Sequence, residues 1–126
     1  MAKRRVVVTG LGVVSPLGLD LKQTWDAILA GKSGAAPITE FDTKDYSVNF
    51  ACMVKGFDPA QYIPLKDIKK MDTFIHYGIA AATQAIKDSG LEVTEANAER
   101  IGVAVSSGIG GLPMIESTHN DFLGGG

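Results

Sequence analysis

Three shortages in the sequence exclude three classes of protein. Cys52 is the single cysteine among 126 residues, so an internal disulfide cannot form and an oxidising compartment is not indicated. The net charge is −2, which argues against nucleic-acid binding through phosphate neutralisation, because such binding draws on a basic excess. No stretch of about 18 apolar residues is present, so no membrane-spanning segment is expected.

A basic start followed by valines gives the first residues a superficial likeness to a secretory leader. Residues 3–5 are Lys-Arg-Arg, and they precede the apolar run 6–14. Gly10 and Gly12 interrupt that run, and no cleavage site of small residues follows it. We therefore expect a cytoplasmic protein.

The sequence does contain the composition of a globular protein. Hydrophobic residues make up 45% of the chain and charged residues 21%. Residues 6–8 and 101–105 are apolar without alternation, which is typical of strands buried on both faces of a parallel sheet. A further strand is predicted near 48–54, inside an irregular stretch that extends from 32 to 64.

The first predicted helix covers residues 21–30. Asp20 precedes it and is suited to accept hydrogen bonds from its first amides, and Gly31 is suited to end it. We expect its apolar side to consist of Trp25, Ile28 and Leu29.

Two more helices are predicted, over 72–88 and 113–122. Apolar residues recur at spacings of four, three and four in the first of them, and Pro113 fits the first turn of the second. The stretch 78–82 is nearly free of bulky side chains, so we expect the longer helix to be deeply packed. Its apolar positions are Ile75, Ile79, Ala82 and Ile86.

The order strand, helix, irregular region, helix, strand, helix indicates an α/β class with a mainly parallel sheet. Strands that are apolar on both faces need helices on both sides, and the chain supplies too few of them. We therefore expect residues 1–126 to form one incomplete unit of a longer protein, with no domain boundary inside it.

The glycines after the first predicted strand resemble part of a dinucleotide fingerprint. Gly10 and Gly12 match its first two glycines, but Ser15 stands where the third is required. Pro16 then delays the helix whose amides would bind a pyrophosphate. A structural glycine loop is favoured, and a Rossmann-type nucleotide-binding domain is kept as an alternative.

A second passage of strand, glycine loop and helix has its loop at 106–112. Its amides are suited to bind an anion or to lie against a ligand, but no lysine follows the glycines, which excludes a Walker loop. Spacing alone favours a structural turn. Gly108 and Gly110 flank Ile109, and this unusual place for a branched apolar side chain suits contact with an apolar ligand.

The cysteine and the two histidines of this chain are weak candidates for a catalytic nucleophile or for metal ligands. Cys52 lies between apolar neighbours, with no histidine or cation near it in sequence, so we expect a buried and unreactive thiol. His76 and His119 lack a second ligand at metal-binding spacing, so no metal site is expected.

Lys66, Lys69 and Lys70 place positive charge on one helical face. Pattern alone favours a solvated surface turn. The alternative is a docking patch for an acidic partner, in which such charges raise association rates more than affinity. A non-enzymatic module that only docks an acidic protein is therefore a further hypothesis.

Five passages, taken in order, resemble the β-ketoacyl-acyl-carrier-protein synthases, most closely type II. Several matches in the correct order are more specific than any one of them, and together they extend over essentially the whole chain. The resemblance implies a thiolase-like fold of αβαβα layers, of which this chain holds only the first part of the N-terminal half. It also implies a homodimer as the complete protein. The passages are residues 4–18, 25–34, 69–78, 88–91 and 107–112.

The reaction that the resemblance implies is a decarboxylating Claisen condensation of fatty acid biosynthesis. An acyl group on a cysteine is joined to malonyl held by the acyl carrier protein, without a cofactor, and the acyl chain grows by two carbons. The family's nucleophilic cysteine and its two catalytic histidines lie beyond residue 126. No catalytic role is therefore assigned to Cys52, His76 or His119.

Two functional elements do correspond to positions in this sequence. Ile109, with Gly108 beside it, matches the residue that gates the acyl pocket in type II enzymes. Lys66, Lys69 and Lys70 match basic positions that receive the acidic surface of the carrier protein. Lys69 stands where the family often has arginine, which keeps the charge but loses bidentate geometry.

Overall fold

One long helix organises the fold. In the computed structural model, which describes residues 3–125, this helix is α3 and runs from Thr73 to Ser89. Strands β1 (Ala36–Pro37) and β2 (Phe50–Ala51) form a two-stranded antiparallel ladder in which Ala36 faces Ala51. The remaining elements are α1 (Leu21–Leu29), α2 (Leu65–Ile68), α4 (Leu112–Leu123) and 3₁₀ turns at Pro59–Gln61 and Ala98–Arg100.

Helix α1 confirms the predicted first helix and both of its ends. The Asp20 carboxylate accepts a hydrogen bond from the Gln23 amide at 2.7 Å, and Gly31 follows the last turn with a φ of 64°. The predicted apolar side is not the side that packs in these residues, because Thr24 and Ala27 are the buried residues of α1. Trp25, Ile28 and Leu29 are all exposed.

The burial of α1 on the Thr24 side has a direct cause. The Thr24 hydroxyl lies 2.9 Å from the Ser15 hydroxyl and donates to the Gly18 carbonyl oxygen at 3.3 Å. These contacts hold the preceding turn against α1. The described residues offer α1 this one packing surface, so its bulky apolar side chains face outwards.

Helix α3 confirms the predicted helix over 72–88 to within one residue. Asp72 precedes it as the N-cap, and Gly90 ends it with a φ of 63°. Ala80 is completely buried, in keeping with the close packing expected of the small residues, whereas Ile86 is exposed. Helix α3 is therefore tightly packed on one side and open on another.

The segment 10–19 lies against the packed side of α3. The Leu11 amide donates to the Asp88 carboxylate at 2.8 Å, and the Val13 amide donates to the Gln84 side-chain oxygen at 3.2 Å. Gln84 in turn donates to the Leu19 carbonyl oxygen at 2.8 Å. Two side chains of α3 thus satisfy backbone groups along the whole segment.

The two predicted parallel strands form no ladder within residues 3–125, and their expected burial is wrong for these residues. Val6 is 92% exposed and Val103 is 83% exposed. A parallel strand needs a hydrogen-bonded neighbour and a helix on each face, and the part of the chain that the structure describes offers neither. The strand expected near 48–54 is present only as the two residues of β2.

Helix α4 confirms the last predicted helix and is one residue longer at each end. Pro113 lies in its first turn, as expected. Gly111 precedes it with a φ of 65° and supplies no capping side chain. Within residues 3–125, none of the helices combines the length and apolar character that crossing a bilayer requires.

Candidate functional site

An apolar groove runs along the open side of α3. Its volume is about 760 Å³. Ile79 and Ala82 belong to its α3 side, and Val103 and Val105 line it as well. Most of its lining consists of hydrocarbon side chains, so the groove is an apolar surface.

Polar groups lie at few points of this groove. Ser106 and Ser107 line it where the segment after Val105 leads into the second glycine loop. The phenol of Tyr77 also lines it, and burial raises the pKa of Tyr77 because desolvation disfavours the phenolate. The groove thus offers neutral hydroxyl groups.

The gate loop, residues 108–111, follows the two serines. Ile109 is 78% exposed between two glycines, and Gly108 has open space around it. Gly110 and Gly111 both have a φ of 65°, which glycine adopts without steric cost. The structure therefore presents Ile109 on an exposed loop beside the groove.

The aromatic ring of Phe74 holds this loop on one side. A Cβ atom added to Gly110 would stand 2.8 Å from the Phe74 ring, so no side chain fits there without displacement. Phe74 belongs to the first turn of α3 and also lines the groove. The loop and the groove thus share one aromatic wall.

Asp72 joins the first turns of two helices. One oxygen of its carboxylate accepts from the Thr73 amide at 2.6 Å, and the other accepts from the Met114 amide of α4 at 3.1 Å. Asp72 is buried. Its contact with Thr73 is local, whereas its second partner lies 42 residues away and has no local signal in the sequence.

The lysine patch, Lys66, Lys69 and Lys70, lies on α2 and just after it. All three side chains are exposed. Lys70 forms an ion pair with Asp67 at 2.8 Å, so part of its charge is offset. Lys66 lies within α2, Lys69 is its C-cap and Lys70 follows it, and the pairing of Lys70 leaves Lys66 and Lys69 as the stronger positive centres.

His76 secures α2 against α3. Its Nε2 atom lies 3.1 Å from the carbonyl oxygen of Ile68, the last residue of α2, and its ring is buried. This contact fixes the helix that carries the lysine patch. The role of His76 in this chain is therefore structural.

The first glycine loop is used for packing. A Cβ on Gly12 would overlap the Ala81 carbonyl oxygen and stand 2.7 Å from the Ala85 nitrogen, and one on Gly10 would overlap the Ala85 carbonyl oxygen. The glycines are required because this segment lies directly on the backbone of α3. The amides of Leu11 and Val13 are already bonded to α3 side chains, so the geometry gives the nucleotide-binding alternative no support.

Cys52 is exposed, so the expectation of a buried thiol is wrong. It directly follows the two residues of β2, and so short a ladder covers little of the side chains around it. Cys52, His76 and His119 are absent from the lining of the groove. Within residues 3–125, no three His, Cys, Asp or Glu side chains come together as a metal site would require.

Comparison with known proteins gives one consistent result. Residues 3–122 match the family model described as Beta-ketoacyl synthase, N-terminal domain. The chain is 58% identical over 123 residues to 3-oxoacyl-[acyl-carrier-protein] synthase 2 of Vibrio cholerae, covering 98% of this chain and 30% of that protein. The protein of the same name from Coxiella burnetii is 52% identical over 126 residues, covering 100% of this chain and 30% of the relative.

A solved structure gives the same result at the level of the fold. The structure described as "The ishigamide ketosynthase/chain length factor" matches with a TM-score of 0.63 and 42% identity, covering 72% of this chain and 23% of that one. A ketosynthase neighbour and a ketosynthase family model together define the thiolase-like class of fold.

The chain belongs to the β-ketoacyl synthase family, and residues 3–122 match its N-terminal domain. The resemblance noted from the five sequence passages is confirmed by relatives that bear the name of synthase 2. The chain spans about 30% of the length of these curated relatives.

Proposed function

We propose that this chain supplies the N-terminal part of an acyltransferase of fatty acid biosynthesis. The complete synthase lengthens an acyl thioester by decarboxylating Claisen condensation with malonyl held on the acyl carrier protein. The observation that carries the proposal is the 58% identity over 98% of the chain to a relative named for this activity. A cytoplasmic homodimer is expected for the complete synthase, and this expectation rests on the resemblance alone.

The described residues fit two tasks in this reaction, which are binding of the acyl chain and docking of the carrier protein. They provide an apolar groove for a chain of hydrocarbon, a loop beside it and an exposed lysine patch. Condensation also needs an activated thiol and fixed donors for the developing negative charge. Cys52 lies outside the groove, so we expect this chain alone to be inactive.

The experiment combines this chain with the rest of a relative, of which it matches 30%. Residues 3–122 replace the matched segment of the Vibrio cholerae relative, and this graft, called the complete synthase below, is assayed for condensation with acyl and malonyl carrier protein. We expect turnover by the graft and none by residues 1–126 alone. Carrier-protein binding without turnover by a folded graft would favour the docking-module hypothesis, and saturable nicotinamide binding would favour the Rossmann-type one.

Ile109 is proposed as the gate of the acyl pocket, with Gly108 giving it room to move. The exposed position of its side chain between glycines supports this, as does the place of the gate loop directly after two residues that line the groove. A branched apolar side chain on a loop beside an apolar surface can exclude water when the loop closes. Exclusion of water suits an acyl thioester, because its hydrocarbon chain is apolar.

The lysine patch is proposed as a docking surface for the acyl carrier protein. Its support is the clustering of three exposed lysines on a short helix that His76 holds in place. An acidic partner would be attracted over a distance of about one Debye length, roughly 8–10 Å at ordinary ionic strength. Lys66 and Lys69 carry the proposal, because Lys70 is paired with Asp67.

A further inference from the structure

Helix α4 begins without a capping side chain of its own. Its N-cap residue is Gly111, which has no side chain, and Pro113 has no amide hydrogen to offer. Ile115 donates to the Gly111 carbonyl oxygen at 2.9 Å, so it is already satisfied within the helix. The Met114 amide is the first-turn donor whose acceptor comes from elsewhere in the fold.

Asp72 supplies that acceptor from the start of α3. Its carboxylate bonds the Thr73 amide with one oxygen and the Met114 amide with the other. A negative charge at the N-termini of two helices is favoured by both helix dipoles. One side chain therefore accepts from the first amide of α3 and, across the fold, from the Met114 amide of α4.

Two contacts with the start of α3 hold the gate loop and the residues after it. Gly110 lies against the Phe74 ring, and Met114, three residues after the loop ends, is bonded to Asp72. Both Phe74 and Asp72 belong to the start of α3, which is tightly packed farther along at Ala80. The base of the loop is thus attached to the start of the longest helix, while Ile109 itself is exposed.

We propose that Asp72 is a positioning residue that holds the start of α4 and thereby sets the position of Ile109 in the loop that precedes α4. The proposal rests on the proposed function of Ile109 as a gate. Without the bond to Met114, the two glycines of left-handed conformation can pivot, and Ile109 samples more positions. Asp72 acts through the loop and does not touch substrate.

Asp72→Ser in the complete synthase separates the two roles of this carboxylate. Serine is a good N-cap for α3, but it has one short hydroxyl in place of two carboxylate oxygens and cannot also reach Met114. Asp72→Asn, which keeps a single acceptor oxygen, replaces it if the serine variant does not fold. Asp20→Ser is the matched control, because Asp20 caps α1 through Gln23.

Two measurements are made on the complete synthase: hydrogen exchange without substrate, and turnover with acyl substrates. Hydrogen exchange of a peptide covering residues 108–114 should become faster in Asp72→Ser and stay unchanged in Asp20→Ser. The ratio of kcat/KM for long over short acyl chains should change by about threefold to tenfold in Asp72→Ser, the factor expected for one lost hydrogen bond. Asp20→Ser should leave that ratio unchanged.

Each outcome decides between the two proposals. Unchanged exchange over 108–114 overturns the role of Asp72. Faster exchange with an unchanged ratio also overturns it, provided that Ile109→Phe shifts the ratio in the same assay. Faster exchange together with no effect of Ile109→Phe shows instead that the gate assignment fails and that the bond to Met114 only stabilises the fold. Faster exchange with a shifted ratio supports both.

Discussion

Two passages of this chain look alike in sequence and differ in structure. Each has an apolar run, then glycines, then a helix: one around Gly10 and Gly12, the other around Gly108 and Gly110. The first places its glycines against the backbone of α3, where a Cβ would collide. In the second, Gly108 has open space around it and Gly110 lies against the side chain of Phe74, not against the backbone of a helix.

The difference shows that the same residue serves two physical purposes. In the first passage, glycine permits close approach, and the loop is locked by hydrogen bonds from Leu11 and Val13 to α3. In the second, glycine permits a φ of 65° at two consecutive positions, and the loop carries an exposed Ile109. The first loop is built for packing, and the second is suited to movement.

The largest effect is expected on stability, when one methyl group is added to a glycine of the first passage. Gly12→Ala in the complete synthase should lower the free energy of unfolding by about 3 kcal/mol, because the new Cβ meets the α3 backbone, which cannot move aside. Gly108→Ala is the control and should change it by less than about 0.5 kcal/mol. Urea unfolding of both variants makes the comparison, and equal stability losses would remove the distinction between the passages.

A smaller effect, on selectivity, is expected in the second passage. Ile109→Phe in the complete synthase should reduce kcat/KM for long acyl chains more than for short ones, because the larger side chain leaves less room for a long chain when the gate closes, and overpacking of that kind costs about 1–3 kcal/mol. The measurement is a series of acyl substrates of increasing length, with Leu11→Phe, a similar change on an exposed residue of the first passage, as the control. A uniform loss at every length would reject the gating role.

The smallest effect is expected on α2, which belongs to neither passage. Lys69→Glu should slow association with the acyl carrier protein by about threefold to tenfold at low salt and less at high salt. Lys87→Glu, the same charge change at the far end of α3, is the control. Stopped-flow association rates at two salt concentrations provide the test. Equal slowing by both variants would mean that net charge, and not the lysine patch, attracts the carrier.

The sequence predicts the helices of this chain well because their signals are local. Asp20 and Gly31 each lie within one turn of the helix end that they define, and both have the predicted geometry. The family is also identified from the sequence, because the resemblance of five ordered passages does not depend on the fold. Residues 101–105 are different, because a strand is defined by neighbours that the described residues do not supply.

Much of the candidate site could not be predicted because it depends on contacts between distant parts of the chain. The bond from Met114 to Asp72 joins residues 42 apart, and the contact of Gly12 with Ala81 joins the first loop to α3. Cys52 shows the same limit, because apolar neighbours in sequence do not determine whether a side chain is covered. The role of Ile109 follows from the resemblance and stays a prediction.

The central claim is that residues 6–8 and 101–105 are strands of a layered sheet that the rest of the synthase completes. Hydrogen exchange of the 101–105 amides, compared between residues 1–126 alone and the complete synthase, tests it most directly. We predict immediate exchange in the isolated chain, where Val103 and Val105 are exposed, and strong protection in the complete synthase. Strong protection of these amides in the isolated chain as a monomer would contradict the account.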